Sequence, residues 1–331
     1  MRKRTILSVV LVLGLLLFSG VPAASAVEPG RFRMGHEATE GHPYDFGARY
    51  FAEQVHRLSD GAMTVDVFPA GQLGTQAQML ESISMGTLDF ALTNSFSYEP
   101  YAPEWGVLTV PLLFENYHHL LAVVRGEIGQ AFKDMVLPRG IKVLEFLRMG
   151  ETTWHSTTPF PHPDDIVGRR IRIMAGRSHT ILGEVLEMIV TPTSFGEVYS
   201  ALQLGAMEGN LQPIINVYGM RFFEVAPYYA NFHLAHFTQP FAMSLDVWNR
   251  ITPAQREVVL EAARLTRYAQ YDFAIEFERR ALEYMVNYGG LILYDGDEEA
   301  WRVALQPMFE RLSEWEHWFE AIRNYPWSYP Y

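Results

Sequence analysis

The feature that most constrains this chain lies in its last third. Thr252-Pro253-Ala254-Gln255 combines a hydroxyl N-cap, a proline at the first helical position and a glutamine able to reach back to the cap. No strong breaker follows until Gly289. A continuous helix over that stretch spans about 50 Å at 1.5 Å per residue. That exceeds one small lobe, so the helix crosses two, straight or kinked.

Upstream, strand and helix signals alternate. Arg31 to Gly35 reads as a strand, and Pro43 to Leu58 as a helix with Ala48, Phe51, Ala52, Val55 and Leu58 at helical spacing. Met63 to Phe68 alternates as a strand, and Gly71 to Gly74 is a turn. Thr75 with Gln78 forms a capping box for a helix ending near Gly86. Leu88 to Thr93 is a further strand, with Asn94 just past its end. Ile141 to Leu147 and Arg170 to Met174 are further strands, and a second part opens near Gly150. This order predicts an α/β fold with parallel sheets, and such folds bind ligands beyond the carboxyl ends of their strands.

The first 26 residues read as an address. Arg2, Lys3 and Arg4 precede an apolar run from Ile6 to Phe18, and Ala24-Ser25-Ala26 fits the cleavage rule of a signal peptide. The run is short for a membrane span. With no cysteine in the chain, a lipid anchor and disulfides are both excluded. Export to a periplasm follows. Without the leader's three basic residues the chain carries 23 Lys+Arg against 38 Asp+Glu, a net charge of −15. A nucleic-acid partner is excluded on those grounds. An acidic protein that holds an anion must do so through a local exception, which draws attention to its arginines.

The stretch from Gly168 to Pro213 offers that exception. Arg172 stands at the end of a short alternating strand in which Ile171 and Ile173 face a core. The capping box Ser194-Phe195-Gly196-Glu197 starts a helix ending at Gly205, and a polar turn Glu208-Gly-Asn-Leu-Gln-Pro213 follows. A guanidinium is charged at any relevant pH and offers a planar fork to a carboxylate. The stretch reads as a site that catches a carboxylate, with an ordinary surface or interlobe salt bridge the alternative for Arg172 on sequence pattern alone. Signs of catalysis are missing. His36-Glu37-Ala38-Thr39-Glu40 imitates a zinc-protease helix, but Glu40 stands where the second histidine is required. His118 and His119 are adjacent, and His233 and His236 lack a completing ligand set. No nucleophile elbow, phosphate loop or dinucleotide fingerprint is present. No catalytic residue, metal or cofactor is assigned.

Five segments, in order, resemble the DctP family of solute-binding proteins of tripartite ATP-independent periplasmic (TRAP) transporters. They are GHEATEGHPYDFGARYFAEQV, VFPAGQLGTQAQMLESISMGTLDFAL, VPLLFENYHH, GRRIRIM and SFGEVYSALQLGAMEGNLQP. The similarity runs from Phe32 to about Leu312. It implies a two-lobe periplasmic binding protein fold with hinge strands and a long helix crossing both lobes. The expected division is 1–26 leader, 27–149 plus about 238–277 lobe I, and 150–237 plus about 278–331 lobe II. It also implies that Arg172 pairs with a substrate carboxylate. Gln212 falls where the family has a pocket asparagine, and Phe195 on an aromatic beside the ligand. Asn94, Trp154 and Gln239 fall on further pocket positions, with a core role the alternative for Trp154. Glu37, in the first strand-to-helix connection, either reads a ligand hydroxyl or ammonium or is a solvated loop carboxylate.

Many sugar-acid binders of the family carry a second arginine in a Gly-x-Arg segment, matched here by Gly150-Glu151-Thr152. The ectoine-binding branch also lacks that arginine but has a carboxylate at the position of Ala38. The expected ligand is therefore a small organic acid with one carboxylate and a partly apolar body; ectoine-like or sugar-acid ligands are the alternatives. The expected partners are the small and large membrane subunits of a TRAP transporter, with the binding protein a monomer. A periplasmic sensor or enzyme is the remaining alternative.

Overall fold

The computed structural model describes residues 27–191 and 193–327; the expected leader and its Ala24-Ser25-Ala26 motif lie outside the described residues. Ten strands occur among the described residues: β1 (Gly30–Gly35), β2 (Met63–Phe68), β3 (Phe90–Leu92), β4 (Ile141–Ser156), β5 (Arg170–Arg172), β6 (Ile189–Val190), β7 (Gly209–Pro213), β8 (Tyr228–Ala230), β9 (Ala235–Ser244) and β10 (Ile292–Tyr294). They join one mixed sheet in the order β2-β1-β3-β9-β4-β7-β5-β6, with β8 pairing β4 and β10 pairing β8.

The first three strands are parallel, with helices Pro43–Leu58 and Gln76–Ser84 as crossovers. The Thr75–Gln78 capping box closes as the sequence predicts. The middle of the sheet departs from a parallel arrangement, because β9 runs antiparallel to both β3 and β4. β4 also continues well past Leu147 to Ser156. It pairs with β9 from Ile141 to Thr152 and with β7 from Thr152 to Ser156. At about 3.3 Å per residue it is roughly 50 Å long. The apolar alternation stops at Leu147 because Arg148 and Gly150 interrupt it. The ladder survives through a register shift between those two residues. Gly150 has φ 117°, and a Cβ there would stand 2.8 Å from Glu278 Oε1.

The segment read as a polar turn is instead strand β7, buried throughout between antiparallel β4 and parallel β5. Its polar composition suggests a solvated turn, but two neighbouring strands use its backbone groups. Asn210 and Gln212 find side-chain partners in His155 and Asn216, at 3.2 and 2.8 Å. The Ser194–Glu197 box also forms, opening a 3-10 turn (Phe195–Glu197) that leads into helix Val198–Gln203.

The long helix runs from Pro253 to Asn287, 35 residues, and so about 50 Å. Its first half packs Val258, Val259, Ala262 and Ala263 into the larger core with Phe51, Phe90 and Phe241. Its second half packs Ala281 and Met285 into a separate core with Phe195, Val198 and Phe222. The helix therefore touches both regions, as its length demands. It is bolted to β4 at one point. Gln270 accepts the Arg148 backbone N–H and donates to the Arg148 carbonyl, both at 2.9 Å. The buried Arg148 guanidinium pairs with Glu278 at 2.8 Å and with Glu151, and lies 4.1 Å from the Tyr117 ring centroid. Burial disfavours its charge, but Tyr117, Glu278 and Glu151 more than compensate and hold its pKa above the ordinary value.

Removing one partner of a buried pair strands the other, at a cost of about 3–5 kcal/mol. Glu151 stays behind to share the charge, so Glu278→Ala is expected to lose about 3 kcal/mol in urea unfolding. Combining Arg148→Met with Glu278→Leu is expected to cost much less than the sum of the single changes. Additive losses would show that the two groups are not coupled.

Candidate functional site

The site is assembled from the carboxyl ends of strands on both sides of the β4–β9 pair. In the first region, Tyr44 stands in the first turn of the helix after β1, Gln76 opens the helix after β2, and Asn94 follows β3. In the second region, Arg172 ends β5, Phe195 comes after β6, and Gln212 and Asn216 lie at the end of β7 and in the helix Ile214–Gly219 behind it. Together with Met149, Met174 and Gln239 these ten residues enclose a small chamber of about 20 Å³. The chamber shares Gln76, Asn94, Arg172, Met174 and Phe195 with an outer groove of about 780 Å³ that Glu37 also lines. The two are adjacent and share that wall.

Arg172 is only 6% exposed. Its Nε donates to the Thr193 carbonyl at 3.1 Å, and among the described residues it forms no ion pair with a carboxylate. Burial pushes its pKa down to about 10, against the opposing influence of Glu37. It is therefore still charged at neutral pH, and Glu37 offsets that charge without forming an ion pair with it. Glu37 is engaged by Gln76 Nε2 at 2.9 Å. Its own pKa is raised by burial, against Gln76 and Arg172.

A relay of hydrogen bonds fixes the polarity of Gln212. His42 Nδ1 accepts the Tyr44 backbone N–H at 3.2 Å, so the ring proton must sit on Nε2. Burial lowers the His42 pKa to about 3, which keeps the ring neutral. Nε2 then donates to Asn216 Oδ1 at 3.2 Å, and Asn216 Nδ2 donates to Gln212 Oε1 at 2.8 Å. Gln212 is left with its NH2 group for whatever enters the chamber. Asn94 is oriented likewise, because its Oδ1 accepts from the Ser97 backbone N–H and hydroxyl, both at 3.0 Å.

Of the residues singled out in the sequence, Arg172, Gln212, Phe195, Asn94 and Gln239 line the chamber, and Glu37 lines the groove. Trp154 lies elsewhere: it is fully buried in the core, its ring 5.7 Å from Trp301. It pairs with Leu211, one position from the Thr153–Gln212 pair, and neighbouring residues of a strand face opposite ways. Tyr44, Gln76, Met149, Met174 and Asn216 were not foreseen. The rule that ligands sit beyond strand ends was the available signal for Tyr44 and Gln76. The zinc-like motif is disarmed by packing, since buried His36 stands 3.3 Å from Asp45 Oδ1. No group of three metal-binding side chains occurs among the described residues.

The mouth of the groove is bridged. Glu99 Oε2 accepts the Arg177 backbone N–H at 2.7 Å, at the start of helix Arg177–Val185. Thr109 and Ser178 hydroxyls meet 2.7 Å apart beside it. Burial raises the Glu99 pKa to about 7, against the Arg177 N–H and charge. The folded protein thus holds this proton more tightly than the unfolded chain. The stabilisation is complete below the ordinary carboxylate range and is lost as pH rises through about 7. Glu99→Gln removes that dependence. Its Tm relative to the unsubstituted protein is expected to climb as pH goes from about 5 to about 8; a constant difference would place Glu99 in an ordinary carboxylate environment.

Residues 34–315 match the family model of the bacterial extracellular solute-binding protein family 7, DctP. The chain belongs to this family, whose members bind solutes and are not enzymes. It is 26% identical over 288 residues to the C4-dicarboxylate-binding protein DctB of Bacillus subtilis, covering 85% of this chain and 81% of that protein. It is 24% identical over 291 residues to the sialic acid-binding periplasmic protein SiaP of Vibrio cholerae, covering 88% and 90%. Among solved structures, a TRAP periplasmic solute-binding protein from Sulfitobacter with bound β-D-galacturonate superposes with a TM-score of 0.84 at 24% identity, covering 89% of this chain and 98% of that one. One from Polaromonas bound to D-erythronate gives 0.86 at 22% identity, covering 90% and 99%.

Proposed function

We propose that this TRAP solute-binding protein captures a small organic carboxylate in the periplasm and hands it to the small and large membrane subunits for ion-gradient-driven uptake. The observation that carries the reading is Arg172: a buried guanidinium, charged at neutral pH and without a carboxylate partner among the described residues. The donor groups of Asn94 and Gln212 are oriented into the same chamber. A ligand carboxylate supplies the missing charge and accepts from these donors. Phe195, Met149 and Met174 offer apolar contact to its carbon skeleton. Trp154 has no part in this proposal.

The names of related proteins support the class. Relatives are described as binding C4-dicarboxylates and sialic acid, and structural neighbours hold β-D-galacturonate and succinate. Arg172 is matched by no second free guanidinium in the chamber lining, which favours one carboxylate over two.

Capture requires movement. The hinge we propose lies where β4 shifts register, between lobe I (27–149 plus about 238–277) and lobe II (150–237 plus about 278–331). Closure around the acid withdraws it from water and strengthens its contact with Arg172. Solution scattering is expected to show a smaller radius of gyration with a saturating acid identified by thermal shift. An unchanged profile would remove the hinge.

Arg172→Ala is expected to leave the fold intact and to cost at least about 2 kcal/mol of binding, roughly 30-fold. Arg172→Lys should restore only part, since an ammonium lacks the fork. Arg170 is the control: it is half exposed and sits 3.4 Å from Glu208, outside the chamber lining, so Arg170→Ala should cost little. Calorimetry on the three variants decides. Wild-type affinity in Arg172→Ala would overturn the carboxylate reading.

A further inference from the structure

The chamber holds more polar capacity than a carboxylate can use. Among the described residues, three of its polar atoms find no hydrogen-bond partner: the Tyr44 hydroxyl, Gln76 Oε1 and Gln239 Oε1. Tyr44 is 5% exposed and Gln239 2%. Buried polar atoms are almost always paired, so orphaned ones gathered in a cavity point to groups that the occupant supplies. The two amide oxygens only accept, and a phenol both donates and accepts. A carboxylate oxygen cannot satisfy an amide oxygen, because neither has a proton to give. A hydroxyl can satisfy either kind of group.

Sheet position separates the elements that carry Gln239 and Tyr44 from the strand that carries Arg172. Gln239 lies on β9 and Arg172 on β5, with β4 and β7 between them. Three strand spacings of about 4.8 Å amount to roughly 14 Å along the sheet, so long side chains from either side converge on the chamber from opposite directions. Tyr44 comes from beyond β1, on the Gln239 side. It is also close enough to Glu278 to feel its charge. No second guanidinium lines the chamber, so a second carboxylate would lack a basic partner there, whereas a neutral hydroxyl needs none.

We infer that Tyr44, together with Gln239 in the same chamber lining, determines specificity by pairing with a hydroxyl group on the part of the ligand away from its carboxylate, so that the chamber selects hydroxylated monocarboxylates over dicarboxylates and over deoxy analogues. This rests on Arg172 holding the carboxylate. Phe lacks only the hydroxyl, so Tyr44→Phe removes the pairing group and keeps the ring packed against His42, 4.4 Å between centroids.

The test is a cycle between protein hydroxyl and ligand hydroxyl. A thermal-shift panel of D-erythronate, D-gluconate, D-galacturonate, succinate and butyrate selects the tightest acid, and calorimetry follows with it and its monodeoxy analogues. Hydroxylated monocarboxylates are expected to bind at least about tenfold more tightly than succinate or butyrate. Tyr44→Phe should weaken the tightest hydroxy acid about tenfold and leave one monodeoxy analogue unaffected, since the group that paired is already missing. Gln239→Met should weaken hydroxy acids in the same sense. Equal losses for the hydroxy acid and every deoxy analogue, or preference for succinate, would overturn the inference while Arg172→Ala still weakens binding by about 30-fold or more. Binding of no acid in the panel, or wild-type affinity in Arg172→Ala, would overturn the carboxylate reading and this inference with it.

Discussion

Two elements of about 50 Å, β4 and the helix Pro253–Asn287, run through both halves of the molecule, and the attachment between them at Arg148 sets everything else in place. Gln270 takes both backbone groups of Arg148 at the point where the β4–β9 ladder shifts register. Arg148 pairs with Thr238 and Gly150 with Phe237, so Met149 is the extra residue of the bulge. A bulge re-aims a side chain, and Met149 is delivered to the chamber wall. On the other side Arg148 and Gly150 face the helix, where Glu278 fills the space that a side chain at 150 would need. The same local irregularity thus joins the helix to the sheet and shapes the cleft.

The chamber inherits its chemistry from the ends of the strands around it. Each contributing connection brings a group whose own hydrogen bonds decide which face it shows. The His42–Asn216–Gln212 relay begins at a helix cap, with the Tyr44 N–H, and ends at an amide whose donors point into the cavity. Capping in one half of the protein therefore sets hydrogen-bond polarity in the other. Asn94 does the same within a single turn. Donors are committed near the anion end, while the acceptors of Gln76 and Gln239 are left unpaired.

Features written locally were legible in the sequence. The capping boxes at Thr75, Ser194 and Thr252 each close, and the first two strands and the first helix begin and end within a residue of where periodicity places them. Features that depend on a distant partner were not. β7 looks like a turn because its polar side chains meet their partners only when β4 and the helix Ile214–Gly219 are beside it. The second half of β4 is invisible to an alternation rule, since a bulge breaks the period of two. The same rule explains the residue-level outcome at the site: Thr153 and Trp154 differ by one position, and one step along a strand separates the chamber side from the core. Asn216 carried a signal in its spacing of four from Gln212, but only a helix after Pro213 makes that spacing a contact.

The two buried arginines state the logic of the protein most plainly. Arg148 and Arg172 are both more than nine-tenths buried, Arg148 on the central strand β4 and Arg172 at the end of β5, two strands away. Arg148 is met by two carboxylates and by the face of Tyr117, so its charge serves structure and its pKa is raised. Arg172 is met by one backbone carbonyl and offset only by Glu37, so burial prevails and its pKa falls. Residue type and burial are the same, and only the presence of internal counter-ions differs. A charge that the fold neutralises for itself holds elements together. Isolated from water and offset by Glu37 alone, the Arg172 charge carries a desolvation cost that a bound anion would relieve, which is why the proposed carboxylate site is centred on it.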